Sequence, residues 1–259
     1  MRVLIPLPST DFDPTESAVP WCALVDAGHD VRFATPDGRV AAADTRMLNG
    51  QGLGPWKPLL RADANGRAAY VRMAASEAFR NPMSWRDAGS DNADALLLPG
   101  GHAPGMRPYL ESEHLQDVAA AMLRANKPVA AVCHGVLVLS RAEQRHPGLV
   151  LRDRRVTALT RAQELSALAL TVWWLGGYYR TYRISVQTEV TRVLANRTQF
   201  EEGPFALRRD APGHLDRGFT VRDRNLLTAR WPGDVFRFAA EFVEMCGLTS
   251  LHSPTDLRR

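Results

Sequence analysis

Short apolar runs alternate with segments of helical spacing along the N-terminal part of the chain. Residues 3–6 predict a buried strand, and residues 31–34 predict a second one. Between them, the spacing of Val19, Cys22 and Ala23 predicts a helix, which Gly28 is placed to end. Strand, helix and strand in direct succession form a βαβ unit, and such a unit requires a parallel sheet.

The same alternation returns from residue 95 onwards. Residues 95–98 and 129–132 are continuous apolar runs typical of buried strands, and helical spacing over residues 110–126 separates them. A helix is predicted to begin at Cys133. Further strands are predicted at residues 156–159, 184–186 and 226–227, and a closing amphipathic helix at residues 234–246. The whole pattern predicts an α/β fold with a mostly parallel central sheet.

The alternation is interrupted between residues 36 and 94. Glycines and prolines recur there, and the helical signal around residues 68–78 is short. We therefore expect an insertion that lies over the sheet. Residues 50–54 are rich in glycine but lack the Lys-Ser/Thr pair of a phosphate-binding loop, so no nucleotide site is predicted.

Composition and charge narrow the class of protein. Apolar residues make up 45% and charged residues 23% of the 259 residues, as in ordinary globular proteins. The net charge is +4, but arginines alternate with carboxylates along the chain, so we expect no nucleic-acid partner. No apolar run has the length of a membrane span, and we expect neither a membrane anchor nor a secretion signal. Three widely spaced cysteines indicate no disulfide framework and no metal site, which favours a reducing, cytoplasmic location.

Cys133 lies where a predicted buried strand runs directly into a predicted helix. Ala131 and Gly135, two positions before and after it, are small, and a tight strand-to-helix turn requires small residues there. The free amides at a helix N-terminus are expected to lower the pKa of this thiol. Cys133 is therefore a candidate nucleophile, and the alternative is a buried cysteine that only packs. For Cys22 and Cys246, which lie inside amphipathic helices, packing is the favoured interpretation.

Motifs spread over most of the chain together resemble the DJ-1/ThiJ/PfpI superfamily, whose fold is shared by class I glutamine amidotransferase domains. The motifs lie at residues 13–20, 27–31, 34–38, 98–102, 131–135 and 226–232. The long insertion and the Gly-Gly-His and Cys-His-Gly motifs are most similar to the larger chaperone and glyoxalase III branch. The resemblance implies a flavodoxin-like three-layer sandwich with a nucleophile elbow at Cys133. It also implies a single domain over residues 1–259, with a cap-like insertion at about 39–94.

The resemblance also implies roles for residues around Cys133. Glu16 matches the family's glutamate beside the cysteine sulfur, and a neighbouring thiolate should keep its carboxyl partly protonated. Gly101 and His134 match the backbone amides of an oxyanion hole, and Gly100 belongs to the same turn. His102 follows these glycines and either lines the pocket or lies on the surface.

His134 also matches the histidine of a Cys-His-acid triad in this branch, as a base for Cys133 or for a bound substrate. The third member is ambiguous, because Gln163 occupies the place of the first of two acids that the family usually has. Glu164 is the candidate orienting carboxylate, and Asp153 is an alternative. The aromatic stretch at residues 173–180 is predicted to belong to the core or to a subunit interface rather than to a substrate wall.

For the function, the resemblance implies a cysteine enzyme without cofactor or metal that acts on a small-molecule substrate. A glyoxalase III-type reaction would convert an α-oxoaldehyde such as methylglyoxal into a hydroxy acid. The same nucleophile could instead hydrolyse an amide, acyl or peptide bond, and fold alone does not separate these reactions. A non-enzymatic chaperone or redox stress sensor is a third possibility, in which Cys133 is oxidised to a sulfinate. The resemblance favours a homodimer.

Overall fold

A seven-stranded sheet forms the centre of the computed structural model, which describes residues 1–90, 92–205 and 208–251. The strands are β1 (Arg2–Pro6), β2 (Thr10–Phe12), β3 (Asp30–Thr35), β4 (Ala42–Ala43), β5 (Met83–Ser84), β6 (Ala95–Leu98), β7 (Val129–Val132), β8 (Thr220–Asp223) and β9 (Leu226–Ala229). The order across the sheet is β5-β3-β1-β6-β7-β9-β8, and β2 pairs with β4 in a small separate sheet.

All neighbours in the large sheet run parallel except β8 and β9, which form an antiparallel pair. The order β3-β1-β6-β7-β9 is that of a flavodoxin-like sheet. Its central strands are apolar on both faces, because helices cover both faces, and β6 and β7 are buried throughout. The α/β fold and the mostly parallel sheet predicted from the sequence are confirmed.

Helices pack against both faces of this sheet. They are α1 (Pro14–Asp26), α2 (Thr45–Asn49), α3 (Lys57–Leu60), α4 (Ala64–Ala75), α5 (Glu77–Arg80), α6 (Arg107–Leu110), α7 (Glu113–Arg124), α8 (Val136–Arg145), α9 (Arg161–Leu175), α10 (Val186–Thr191) and α11 (Val235–Leu251). Helices α1, α4 and α11 pack together, and α7, α8 and α10 form a second group. Within the described residues, no helix combines the length and apolar character needed to cross a membrane.

The insertion is joined closely to the rest of the molecule. Helix α4 packs along α1, and Met73 and Phe79 are buried in the same apolar core as the strands. Its last strand, β5, extends the central sheet beside β3. The ring of Phe79 meets that of Phe33 edge to face, 5.3 Å between centroids. The insertion therefore contributes to the main core as well as covering it.

Two predicted strands are wrong. Residues 156–159 make only one isolated bridge, Val156 to Phe200, because β9 already occupies the place beside β7. Residues 184–186 lie at the start of α10, where the Ser185 side chain accepts a hydrogen bond from the Thr188 amide and caps the helix. Val156, Ala158 and Val186 are buried without a place in the sheet, whereas Ile184 is exposed.

Candidate active site

Cys133 lies at the carboxyl end of β7 in a strained backbone conformation. Its φ of 57° is in the left-handed region, which non-glycine residues seldom adopt. A short 3₁₀ turn, Cys133–Gly135, follows and leads into α8, so the α-helix begins three residues later than predicted. A Cβ on Gly135 would lie 2.7 Å from the carbonyl oxygen of Pro99 and closer still to that of Leu98. The small residue expected at this position is therefore required by packing.

Glu16 lies in the first turn of α1, where the helix points its N-terminus at the site. Asp13 caps this helix by accepting hydrogen bonds from the amides of Thr15 and Glu16. The Glu16 side chain is fully buried, and its Oε2 accepts from the Gly100 amide at 3.0 Å. The same carboxyl group and the Cys133 side chain both border the space above Gly100, and Cys133 influences the pKa of Glu16. Glu16 thus lies beside the cysteine, where the family resemblance implied it.

The two glycines after β6 have different surroundings. The amide of Gly100 is used by Glu16, so Gly100 orients the carboxyl group rather than the substrate. A Cβ on Gly100 would lie 2.6 Å from Glu16 Oε2 and 2.9 Å from Cys133 Cβ. Gly101 lines the cavity with a φ of +146°, a conformation that favours glycine. Of the two glycines, Gly101 is therefore the one that borders the open space of the cavity.

The hydrogen bonds of His134 determine its tautomer. Its Nδ1 lies 3.4 Å from Cys133 Sγ, and its Nε2 lies 3.1 Å from the Thr181 hydroxyl oxygen. That hydroxyl donates its only proton to the carbonyl oxygen of His102, at 2.6 Å. His134 Nε2 must therefore carry the proton and donate to Thr181, which leaves Nδ1 as an acceptor facing the thiol.

Burial favours the uncharged forms of Cys133, Glu16 and His134. Burial, followed by the charge of Asp13, raises the pKa of Glu16 well above its usual value, which favours the protonated carboxyl for a reason other than the thiolate that was expected to cause it. Burial also lowers the pKa of His134 to about 3. The pKa of Cys133 is raised well above its usual value by burial and the neighbouring Glu16 and Asp13, which outweigh the predicted lowering by backbone amides, here that of His134. The pocket favours a thiol, a carboxylic acid and a neutral imidazole.

The structure does not place Glu164 beside His134. The Glu164 carboxylate accepts from the Val186 amide at 3.2 Å and lies 3.4 Å from the Arg180 guanidinium. It lines the cavity, but the group that holds His134 Nε2 is the Thr181 hydroxyl. The alternative, Asp153, does not line the cavity. Its carbonyl oxygen accepts a hydrogen bond from Arg224, in the turn between β8 and β9. The orienting role predicted for an acid is filled here by a hydroxyl.

The aromatic stretch at residues 173–180 divides between surface and cavity. Trp173 is 90% exposed, whereas Tyr179 is buried and lines the cavity. The ring of His102 stacks on Tyr179 with 4.3 Å between centroids. Burial lowers the pKa of His102 to about 4, so this ring is neutral. His102 therefore lines the pocket, and Tyr179 forms part of a wall that the sequence did not predict.

A cavity of about 270 Å³ opens above Cys133. Its walls come from the N-terminus of α1, from the segments that follow β6 and β7, from α9, and from two segments far apart in the chain that contribute Leu59, Leu60 and Arg209. No sequence motif contains Arg209 or Thr181, so neither residue was predicted to belong to the site.

Within the described ranges, no cluster of three or more His, Cys, Asp or Glu side chains could hold a metal ion.

Comparisons with known proteins agree with this architecture. A family model described as ThiJ/PfpI family-like matches residues 7–204. An uncharacterized protein of Schizosaccharomyces pombe is 30% identical over 150 residues, 55% of this chain and 55% of that protein, so the match spans about half of the relative. Deglycase PfpI of Pyrococcus furiosus is 24% identical over 245 residues, 95% of this chain and 99% of the relative.

A solved structure agrees with the fold over nearly the whole chain. The crystal structure of glyoxalase III from Candida albicans superposes with a TM-score of 0.68 and 17% identity, covering 95% of this chain and 97% of that one. At this identity the likeness concerns the fold. The family model covers well over half of the sequence, and the chain therefore belongs to the ThiJ/PfpI family.

Proposed function

We propose that this chain is a cysteine enzyme that acts on small carbonyl compounds and converts an α-oxoaldehyde such as methylglyoxal into a 2-hydroxy acid. The observation that carries the proposal is the position of Cys133 beside both His134 Nδ1 and the Glu16 carboxyl group inside a cavity. This arrangement can add a thiol to a carbonyl group and move protons on both sides of the new bond. Relatives and structural neighbours named deglycase and glyoxalase III support carbonyl chemistry.

The first step adds the thiol to the aldehyde. The Cys133 sulfur forms a bond to the aldehyde carbon while its proton passes to His134 Nδ1, and the carbonyl oxygen becomes an alkoxide. The Gly101 amide can stabilise that oxygen until the proton held on His134 Nδ1 passes to it, which leaves His134 neutral again and Glu16 still protonated. The product is a neutral hemithioacetal, which suits a pocket in which burial favours the uncharged forms of Cys133, Glu16 and His134.

The later steps move hydrogen within the adduct. His134 removes the proton from the former aldehyde carbon while Glu16 gives its proton to the second carbonyl oxygen, and an enediol forms across the two oxygen-bearing carbons. His134 then gives its proton to the neighbouring carbon, and the hydroxyl on the first carbon returns a proton to Glu16, which gives a thioester of a 2-hydroxy acid. Water then cleaves the thioester, which releases the acid and restores the thiol. The sum is one oxoaldehyde plus one water giving one hydroxy acid, with no external oxidant or reductant.

Lactate formation from methylglyoxal, without glutathione and in metal-free buffer, tests this proposal. The variants are Cys133→Ala and His134→Ala, with Cys22→Ala and the exposed His214→Ala as matched controls. We expect both site variants to lose at least about 100-fold in kcat/KM, because each removes a group that touches the reacting atoms, and both controls to remain active. Absence of turnover by the wild type would exclude this substrate and direct the search to amide and acyl substrates.

A further inference from the structure

The cavity above Cys133 contains several buried hydrogen-bond donors without partners. The side chains that line it include four unpaired donors, Gln163 Nε2, the Tyr179 hydroxyl, Arg209 Nη1 and Trp231 Nε1, together with His102 Nε2, whose role depends on its tautomer, and Glu16 Oε1. Buried polar atoms are nearly always paired, so a group of them around one cavity indicates a ligand that would pair them. Most of these atoms are N–H or O–H donors, so the missing ligand is rich in acceptors.

Arg209 is the only positively charged member of this group. Its Nη2 donates to the carbonyl oxygens of Leu59 and Leu60, at 3.2 and 3.4 Å, which holds the guanidinium at the cavity wall. Its Nη1 is buried and unpaired, and no carboxylate of the described part of the chain lies within ion-pair distance of it. A guanidinium so placed has a free N–H for an anionic oxygen.

The acidic groups of the same cavity already have partners. Asp13 accepts from the amides of Thr15 and Glu16, and Glu164 accepts from the Val186 amide and faces Arg180. Neither carboxyl group contacts Arg209 directly. Burial raises the pKa of Asp13, and the charge of Arg209 partly offsets that rise.

We propose that the substrate carries a carboxylate in addition to the carbonyl that Cys133 attacks, and that Arg209 binds this carboxylate together with the neighbouring unpaired donors. The carboxylate has two oxygens and can accept several hydrogen bonds at once, which matches the excess of donors. Methylglyoxal uses its two oxygens in the reaction and leaves these donors unpaired. The inference extends the proposed function from α-oxoaldehydes in general to those with an acidic group.

Alkylation of Cys133 tests the carboxylate site without requiring any turnover. Iodoacetate carries a carboxylate where iodoacetamide carries an uncharged amide. In both reactions the Cys133 sulfur forms a bond to the CH₂ carbon, and iodide and the thiol proton leave. A change in the thiol pKa alters both rate constants by the same factor, so it has no effect on their ratio. We expect Arg209→Gln to lower the ratio of iodoacetate to iodoacetamide about 10-fold, and the exposed Arg208→Gln, with the same loss of charge, to leave it unchanged. Labelling of the Cys133→Ala variant gives the background from other cysteines.

Two further variants keep the test decisive if Arg209→Gln folds poorly. Arg209→Lys keeps the positive charge, and Tyr179→Phe removes one neutral donor from the same wall; each should lower the ratio about threefold. An unchanged ratio in all folded site variants would overturn the carboxylate site.

Turnover then tests the same site in the reaction. The substrates are 4,5-dioxopentanoate and its uncharged amide, 4,5-dioxopentanamide. We expect wild type to prefer the acid by about 10-fold in kcat/KM and Arg209→Gln to lose that preference. If the alkylation ratio responds as expected but neither compound is converted, the carboxylate site stands and the proposed reaction fails.

Discussion

Thr181 decides which nitrogen of His134 faces the nucleophile. Its hydroxyl proton is committed to the His102 carbonyl oxygen, so its oxygen can only accept from His134 Nε2. Arg107 donates to the Thr181 carbonyl oxygen at 2.7 Å and fixes this loop residue in turn. The neutral imidazole, with Nδ1 free, is then ready to take a proton from the thiol. Thr181 acts as a positioning residue, because it touches His134 and lies outside the reacting atoms.

Replacing Thr181 tests this role. We expect Thr181→Val, which keeps the shape and removes the acceptor, to lower kcat about 10- to 100-fold with little change in KM. Thr181→Ser restores the hydroxyl and should retain activity within about threefold. Kinetics with methylglyoxal give the split between kcat and KM. A purely structural role would instead be revealed by equal losses in the valine and serine variants.

Single residues of the site differ in how far the sequence reveals them. Cys133 lies at a strand-to-helix junction between small residues, so its neighbours identify it, whereas Glu16 was predicted only through the family resemblance. Thr181 and Arg209 come from loops with no such pattern, and only the folded chain brings them to the cavity. The acid predicted at Glu164 was wrong as a partner of His134, because spacing along the chain does not determine which side chain reaches the ring.

The elements that meet at the site are packed backbone to backbone. The turn after β7 rests on the loop after β6, with Gly135 against the carbonyl groups of Leu98 and Pro99. Its φ of −55° is ordinary, so the requirement for glycine comes from space alone. Any side chain there would push the turn that carries Cys133 away from Gly100 and Glu16.

A methyl group at Gly135 should therefore affect both stability and reactivity. We expect Gly135→Ala to lower the free energy of unfolding by about 2 to 4 kcal/mol, because the added carbon overlaps fixed backbone oxygens. Gly177→Ala is the matched control, since a Cβ there has nothing within 4 Å. Urea denaturation of both variants measures the difference. Equal stability of the two variants would contradict the packing argument.

Hydrophobic periodicity predicted most helices and strands, but it did not predict which apolar segments join the central sheet. The central strands β1, β3, β6, β7 and β9 were predicted because each is a short apolar run bounded by turns. Residues 156–159 have the same pattern, yet β9 pairs with β7 from a position almost a hundred residues further along the chain. Strand pairing of this kind is a long-range property. At residues 184–186, the cap supplied by Ser185 outweighed the apolar run.

Buried carboxyl groups make the stability of the whole molecule depend on pH. Burial raises the pKa of Asp13 to about 6 and that of Asp210 to about 7. Asp210 accepts from the Arg237 amide at the start of α11, and its Oδ1 has no partner. In the native state these groups hold protons that the unfolded chain has already lost. The free energy of unfolding should therefore fall as the pH rises from about 4 to about 7.

Asp210→Asn should weaken that dependence. The amide can still accept a hydrogen bond at the helix start, and it removes the charge that burial opposes. Between pH 5 and pH 8 we expect the variant to lose about 1 to 2 kcal/mol less stability than the wild type. The exposed Asp216→Asn serves as the control, and urea midpoints at the two pH values give the comparison. Parallel profiles for Asp210→Asn and wild type would exclude Asp210 as a source of the slope.

The two borders of the central sheet limit how copies of this chain can meet. At one border β5 has only two residues, Met83 and Ser84. At the other, β8 is four residues long, runs against its neighbour and carries the exposed Arg222. Short or charged border strands discourage a further strand from adding to a sheet. Neither border therefore favours the strand-by-strand stacking of copies into fibres.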